Sequence, residues 1–159
     1  MGRLTFTIVH VGKLKDPHIR AGTERYRRQI LAYASLELCA LRQESLHKKA
    51  VINSIHKKEA GRIDRVISSS KTVIALDVCG RSFTSLQFAE YLATLAAEGR
   101  SEITFLIGGP LGLSPDLVRK AHLALSLSPM TFPHELTILA LMEQLYRALA
   151  YMHNHPYPK

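Results

Sequence analysis

Tryptophan is absent from the 159 residues, and cysteine is limited to Cys39 and Cys79. Neither cysteine stands at metal-ligand spacing and both lie in apolar surroundings. Buried, reduced thiols are therefore expected, which argues against a disulfide-stapled secreted fold. No stretch approaches the roughly 20 consecutive apolar residues of a membrane-spanning helix, so no membrane association is expected. The opening Met1-Gly2-Arg3-Leu4-Thr5-Phe6-Thr7-Ile8-Val9 reads as a first strand. It lacks the apolar stretch and small-residue cleavage site of a signal peptide, and a cytoplasmic location fits. His153 and His155 flank Asn154, but no third ligand accompanies them, so no metal is expected. Also missing are a Gly-Lys-Ser/Thr phosphate loop, an early dinucleotide fingerprint, a Gly-x-Ser-x-Gly elbow and a Cys–His nucleophile pattern.

Acidic residues are scarce in one half of the chain only. The net charge is +8, yet residues 1–71 carry 15 Lys and Arg against 6 Asp and Glu, while residues 72–159 carry 6 against 7. The excess includes Arg20, Arg25, Arg27, Arg28, Lys48, Lys49, Lys57, Lys58, Arg62 and Arg65. One half suited to a polyanion and the other to a small ligand would give this asymmetry. Solvated helix faces would give it too, and composition leaves both readings open.

Strand patterns fall at about 4–11, 36–41, 72–78, 102–107 and 123–127, with helical patterns at about 17–34, 53–69, 84–98, 114–122 and 134–153. The alternation predicts an α/β fold with a mostly parallel sheet and helices on both faces, in a single domain over 1–159. Thr84 with Gln87 forms a capping-box pattern and Gly99 a stop. Ser114-Pro115 is an N-cap with proline at the first helical position. The segment 42–52 has the weakest pattern and reads as a basic, mobile loop. From Glu135 to Met152 the last helix is apolar almost all round. It is either central in a core or shared with a second subunit, and in so small a domain the pattern favours a homodimer. Glu143 and Arg147, four apart within it, permit an intrahelical ion pair; alternatively Arg147 is aimed at phosphate or at a partner chain.

The densest signal lies in the last third. Ile103-Thr104-Phe105-Leu106-Ile107 runs into Gly108-Gly109-Pro110-Leu111-Gly112-Leu113-Ser114-Pro115, and Leu123-Ala124-Leu125-Ser126-Leu127 breaks into Ser128-Pro129-Met130-Thr131-Phe132-Pro133-His134. Two strand-to-loop-to-helix transitions place irregular backbone at strand ends, where open α/β sheets bind ligands. Glycines at 108 and 109 let a ligand approach the backbone closely. The loops alone indicate a small-ligand site.

Four motifs, in this order and spacing, resemble those of the RlmH family, ribosomal RNA large-subunit methyltransferase H. They are Leu-Ile-Gly-Gly-Pro-Leu-Gly-Leu-Ser at 106–114, Leu-Ser-Leu-Ser-Pro-Met-Thr-Phe-Pro-His at 125–134, Glu-Gln-Leu-Tyr-Arg-Ala at 143–148 and Asn-His-Pro-Tyr at 154–157. Weaker similarity extends through Val73-Ile74-Ala75-Leu76-Asp77 to Val9-His10-Val11-Gly12-Lys13. The resemblance implies a SPOUT-type α/β fold with a C-terminal trefoil knot, a rare topology. It implies a homodimer that uses S-adenosylmethionine, without a metal, to methylate N3 of a pseudouridine in 23S rRNA of the assembled ribosome. By position it places the cofactor at Leu76, Gly108, Leu127, Ser128, Pro129, Met130, Thr131 and Phe132. Loop backbone would bond the adenine and ribose, and Leu76, Leu127, Met130 and Phe132 would wall the purine.

The imide N3–H must lose its proton around methyl transfer. Arg147 is the candidate cation for the developing anion. Tyr157 of the tail motif is a further catalytic candidate. His134, His153 and His155 are candidate bases by residue type. Candidate RNA contacts are Arg20, Arg25, Arg28 and Arg147. The chain departs from the family pattern at Leu111, where many relatives are polar, at Ile138, where arginine is usual, and at Pro158, in place of histidine. Ile138 and Pro158 fall where RNA contact or site lining is expected. Gly108→Arg is expected to block the cofactor cavity without unfolding the domain. Two other readings compete: a ribosome-binding factor on the same fold with impaired catalysis, and a nucleotide-dependent enzyme using the Gly-Gly-Pro loop for phosphate.

Overall fold

In the computed structural model the described residues are 3–45, 51–67 and 72–157. Lys48 and Lys49 of the expected basic loop, the end of the second expected helix and Pro158 lie outside them. The alternating pattern becomes β1 (Thr5–Val11), α1 (Pro17–Leu31), β2 (Ser35–Leu41), α2 (Ile52–Ile67), β3 (Thr72–Ser82), α3 (Ser85–Ala97), β4 (Glu102–Ile107), α4 (Pro115–Lys120), β5 (Leu123–Ser126) and α5 (His134–Met152). The local signals account for the ends. Asp16 Oδ1 accepts the N–H groups of His18 at 2.8 Å and Ile19 at 3.1 Å, starting α1. Thr84 and Gln87 close the capping box reciprocally, and Ser114 caps α4. Gly99, at φ +77°, takes the left-handed turn after α3 that glycine adopts without strain.

The sheet is parallel throughout, in the order β2-β1-β4-β3-β5. Strands covered on both faces read as continuous apolar runs, because successive side chains point to opposite sides. Phe6, Ile8, Ile74, Ile103 and Phe105 meet α1, α3 and α5 on one face. Val9, Val11, Val73, Ala75 and Leu106 meet α2 and α4 on the other. All the strand ends that carry loops therefore point the same way.

Helix α5 lies over the first face between α1 and α3. Ile138, Leu141, Met142, Leu145 and Leu149 are buried there, and of its large apolar side chains Leu136 and Tyr151 stay exposed. Its all-round apolar composition is thus explained inside one subunit, because sheet, α1 and α3 cover three of its sides. The inference of a dimer from that composition alone does not hold. Ile138 is also corrected: at 0% exposure it is a core residue and meets neither solvent nor the site.

Strand β3 runs longer than expected. After Leu76 pairs with Leu125, residues 77–80 bulge out, and Arg81 and Ser82 return to pair with Leu125 and Ser126. The return is close: a Cβ at Gly80 would lie 2.6 Å from the carbonyl oxygen of Ala124. The bulge lifts Cys79 into solvent, so the expectation of two buried thiols fails there, while Cys39 is half-buried; both are free.

Candidate functional site

The C-terminal ends of β3, β4 and β5 surround a cavity of about 730 Å³, closed by the first turn of α5. Its walls are the loop 108–113, the loop 127–133 and residues 76–78. Of the expected cofactor residues, Leu76, Gly108, Leu127, Ser128, Met130, Thr131 and Phe132 line it. Pro129 is exposed between Ser128 and Met130 and is not among the lining residues.

Each wall is held by its own polar contacts. Gly112 N–H donates to Gly109 O at 2.9 Å, folding the glycine loop back on itself. Helix α2 pins that loop from behind, where His56 Nε2 meets the Leu111 carbonyl at 3.1 Å and, since a carbonyl can only accept, donates to it. Leu111 therefore acts through its backbone as well as its side chain. Ser128 Oγ accepts from Met130 N–H at 3.0 Å, and Asp77 Oδ1 from Cys79 N–H at 2.8 Å. Ser126 Oγ donates to Val78 O at 3.1 Å, tying the bulge of β3 to the end of β5.

Fitting a side chain at position 108 is impossible without moving the loop. A Cβ there would stand 2.3 Å from the carbonyl carbon of Gly112 and 2.5 Å from Leu113 N. Gly108→Arg would therefore act by displacing the loop as well as by filling the cavity, since the first carbon of any side chain already meets Gly112 and Leu113.

The catalytic candidates fall in two places, Arg147 with Tyr157 in one and His134 in the other. His134 lines the cavity. Arg147 lies 13 residues further along α5, about 20 Å along the helix axis. There Arg147 Nε donates to Glu143 Oε1 at 3.0 Å, and its guanidinium carbon sits 4.8 Å from the Tyr157 ring centroid. The Glu143 carboxylate bonded to it raises the Arg147 pKa further. Tyr157 packs edge-on against Tyr146 at 4.7 Å, and its hydroxyl meets that of Tyr26 at 3.3 Å. Burial, then the bond to Tyr26, pushes its phenol well above the usual value. His153 and His155 pack on Tyr33, with ring centroids at 4.8 and 6.3 Å, away from the cavity. The intrahelical pair and the tail contact thus coexist at Arg147.

Helix α1 runs alongside α5 in the same direction, with Gly22 against Leu139 and Tyr26 against Tyr146. Its exposed Arg20, Arg27 and Arg28 form a stripe from the cavity end toward the tail end, with Glu24 3.8 Å from Arg27 and 3.2 Å from Arg28. Arg25 is exposed as well, its guanidinium carbon 6.0 Å from the Tyr26 ring centroid. The sequence reading missed Asp77, His56 and His10. Asp77 reads as the polar residue near the end of a strand, and His56 shows no motif. His10, beside Gly12 at the end of β1, was legible only as one polar residue in an apolar run.

Among the described residues no group of His, Cys, Asp or Glu could hold a metal ion, and no helix is long and apolar enough to cross a membrane. Comparison with known proteins gives this geometry its context. A family model described as "Predicted SPOUT methyltransferase" matches residues 4–158. A protein of Natranaerobius thermophilus named ribosomal RNA large subunit methyltransferase H is 41% identical over 97% of this chain and 99% of its own. A protein of the same name from Exiguobacterium sibiricum is 39% identical over 98% of this chain and 100% of its own. Among solved structures, a probable methyltransferase from Bordetella pertussis aligns with a TM-score of 0.56 at 10% identity, over 92% of this chain and 96% of that one. A probable methylase family protein from Haemophilus influenzae gives 0.55 at 15% identity, over 95% of this chain and 67% of that one. At such identities these two likenesses concern the fold alone. The chain belongs to the SPOUT methyltransferases, in the family of the ribosomal RNA large subunit methyltransferases H.

Proposed function

We propose that this enzyme transfers a methyl group from S-adenosylmethionine to N3 of a pseudouridine in 23S rRNA of the assembled ribosome. It would act in the cytoplasm as a homodimer, each subunit one domain over 1–159 with the C-terminal trefoil knot of its class. The observation that carries the reading is the cavity. Seven of eight residues expected at the cofactor line it, and its size lies in the range of small-molecule sites. The donor set fits the cofactor. Backbone groups of the two loops offer both donors and acceptors to an adenine edge and ribose. Leu76, Leu127, Met130 and Phe132 offer apolar surface to the purine, and Asp77 places a carboxylate at the wall. S-adenosylmethionine supplies an electrophilic methyl when bound, so this chain has chiefly to orient it and to exclude water.

Arg147 and Tyr157 are not among the residues that line the cavity, and in this reading the site is completed across the dimer. One subunit would provide the cavity and its partner the Arg147–Tyr157 end of α5. There Arg147, held charged by Glu143, would stabilise the anion that forms as the imide gives up its proton.

Methyl transfer from labelled S-adenosylmethionine to ribosomes lacking the modification tests the reading, with the nucleoside identified by mass spectrometry. N3-methylpseudouridine in 23S rRNA is the expected product. Cofactor and ribosome binding without transfer would favour the impaired ribosome-binding factor. Preference for a nucleoside triphosphate would favour the nucleotide-dependent enzyme.

The exposed arginines of α1 supply the polyanion contact in this reading. Charge reversal at Arg25 and Arg28 together is expected to weaken ribosome binding roughly tenfold at moderate salt, with a shallower salt dependence. Binding titrations at several salt concentrations check it, and an unchanged slope would make these residues merely solvated.

A further inference from the structure

A series of side-chain hydrogen bonds ties α3 to the Arg147 end of α5. Ser85, the first residue of α3, donates from Oγ to Gln144 Oε1 at 2.7 Å, and Gln144 Nε2 donates to Glu143 Oε2 at 2.6 Å. The other oxygen of that carboxylate, Oε1, takes Arg147 Nε at 3.0 Å. Arg147 in turn lies over the Tyr157 ring. Burial, the Tyr26 hydroxyl and the nearby Glu143 carboxylate all raise the Tyr157 pKa, so the phenol stays protonated. Contacts thus run without a break from α3 to the C-terminal tail, with Glu143 at their centre.

Each link has only one workable direction. An ionised carboxylate accepts and cannot donate, so the Gln144 amide turns its nitrogen to Glu143 and its oxygen to Ser85. The serine hydroxyl then has to donate. It is available for this because the side chain that caps α3 is that of Thr84. Glutamine at 144 satisfies both ends, and a side chain lacking either the donor or the acceptor cannot.

The space beside the link gives it a purpose. Ser85, Glu143 and Gln144 line a second cavity of about 420 Å³, which shares Leu125, Leu127 and Phe132 with the larger one. An ion pair between residues four apart on a helix is weak by itself. Released by Gln144, the Glu143 carboxylate has room to turn into that cavity and leave the guanidinium. The charge of an arginine is not in question at neutral pH; the link governs where that charge sits.

We propose, on the reading that Arg147 stabilises the anion formed during methyl transfer, that Gln144 is a positioning residue for it. The amide, oriented by Ser85, holds one carboxylate oxygen of Glu143 so that the other stays on the guanidinium.

Single-turnover methyl transfer to ribosomes at saturating cofactor separates position from binding. Gln144→Leu keeps most of the side-chain bulk and removes both polar ends. Transfer is expected to slow roughly tenfold, while S-adenosylmethionine affinity by calorimetry stays within about twofold of wild type. Ser85→Ala, one link further away, should slow transfer about threefold. Ser85→Thr restores the hydroxyl and should recover the wild-type rate. Arg147→Met has no guanidinium left to place, so adding Gln144→Leu to it should slow transfer no further. Each variant should sediment as the wild type does.

Transfer by Gln144→Leu within twofold of wild type would overturn the proposal and leave the role of Arg147 standing. So would a loss that multiplies with that of Arg147→Met, or one explained by a changed assembly state. Full activity in Arg147→Met would overturn both, without touching the reading of the cofactor cavity. Should Gln144→Leu not fold, the Ser85 variants decide: equal rates for Ser85→Ala and Ser85→Thr would refute the relay.

Discussion

Gly108→Ala is expected to cut methyl transfer by roughly a hundredfold or more, because misplacing a binding cradle by about 1 Å has effects of that size. The added carbon would sit 2.3 Å from the Gly112 carbonyl carbon, where ordinary contacts begin near 3.4 Å. Relief requires the 108–113 loop to swing open, and the Gly112-to-Gly109 hydrogen bond goes with it. Cofactor affinity measured by calorimetry should fall together with turnover. The two sheet cores need not feel the change, so thermal unfolding should show a modest loss. Gly61→Ala is the matched control: a Cβ at that position in α2 meets nothing within 4 Å. It should leave activity unchanged and raise stability by about 0.5–1 kcal/mol, the usual gain for removing glycine from a helix interior. Normal affinity in Gly108→Ala would mean that the cofactor sits elsewhere.

The second large effect concerns how the site is completed. Arg147→Met should lower transfer on the order of a hundredfold, the scale of losing one group that stabilises developing charge, while cofactor affinity stays near normal. Neither this variant nor Gly108→Ala should be active alone. Mixed as unfolded chains and refolded together, they should recover activity. In a mixed dimer one site carries both defects, and the other combines an intact cavity with the partner's intact Arg147. A one-to-one mixture should therefore reach about a quarter of wild-type activity, since half the dimers are mixed and each has one good site of two. Sites complete within each subunit predict no recovery at all. The assay is a radiolabel transfer on the mixture, with each variant alone as background.

Much of this architecture is legible in the residues, because the signals involved are local. Thr84 and Gln87 mark a helix start by their own hydrogen bonds, and strands buried on both faces show as unbroken apolar runs. What was not legible depends on neighbours distant in sequence. Cys79 looks like a strand residue and is one, but the bulge that exposes it is set by β5, more than 40 residues later. The apolar girth of α5 fitted a subunit interface as well as a core position, and only the flanks of α1 and α3 decide between them. Of the seven cavity-lining residues placed by the family resemblance, six fall in two short loops and Leu76 lies on β3. Asp77 and His56 were missed because their positions are created by packing: one lies in the bulge within β3, the other is a helix side chain that reaches a carbonyl 55 residues away.

The strand order has a consequence for how the chain reaches this state. The β2 partner of β1 ends by residue 41, but the other neighbour of β1 is β4, whose partner for Thr5 is Glu102. Half of the central pairing must therefore wait until residue 102 and those after it are available. The Phe6–Phe105 contact, at 6.1 Å between centroids, waits with it. The lid over that core, α5, is synthesised after the other four helices described. Contacts so distant in sequence slow folding, and during synthesis they leave the apolar face of β1 without its cover. The chain should accordingly fold late, and nascent fragments ending before His134 should be the species that chaperones hold.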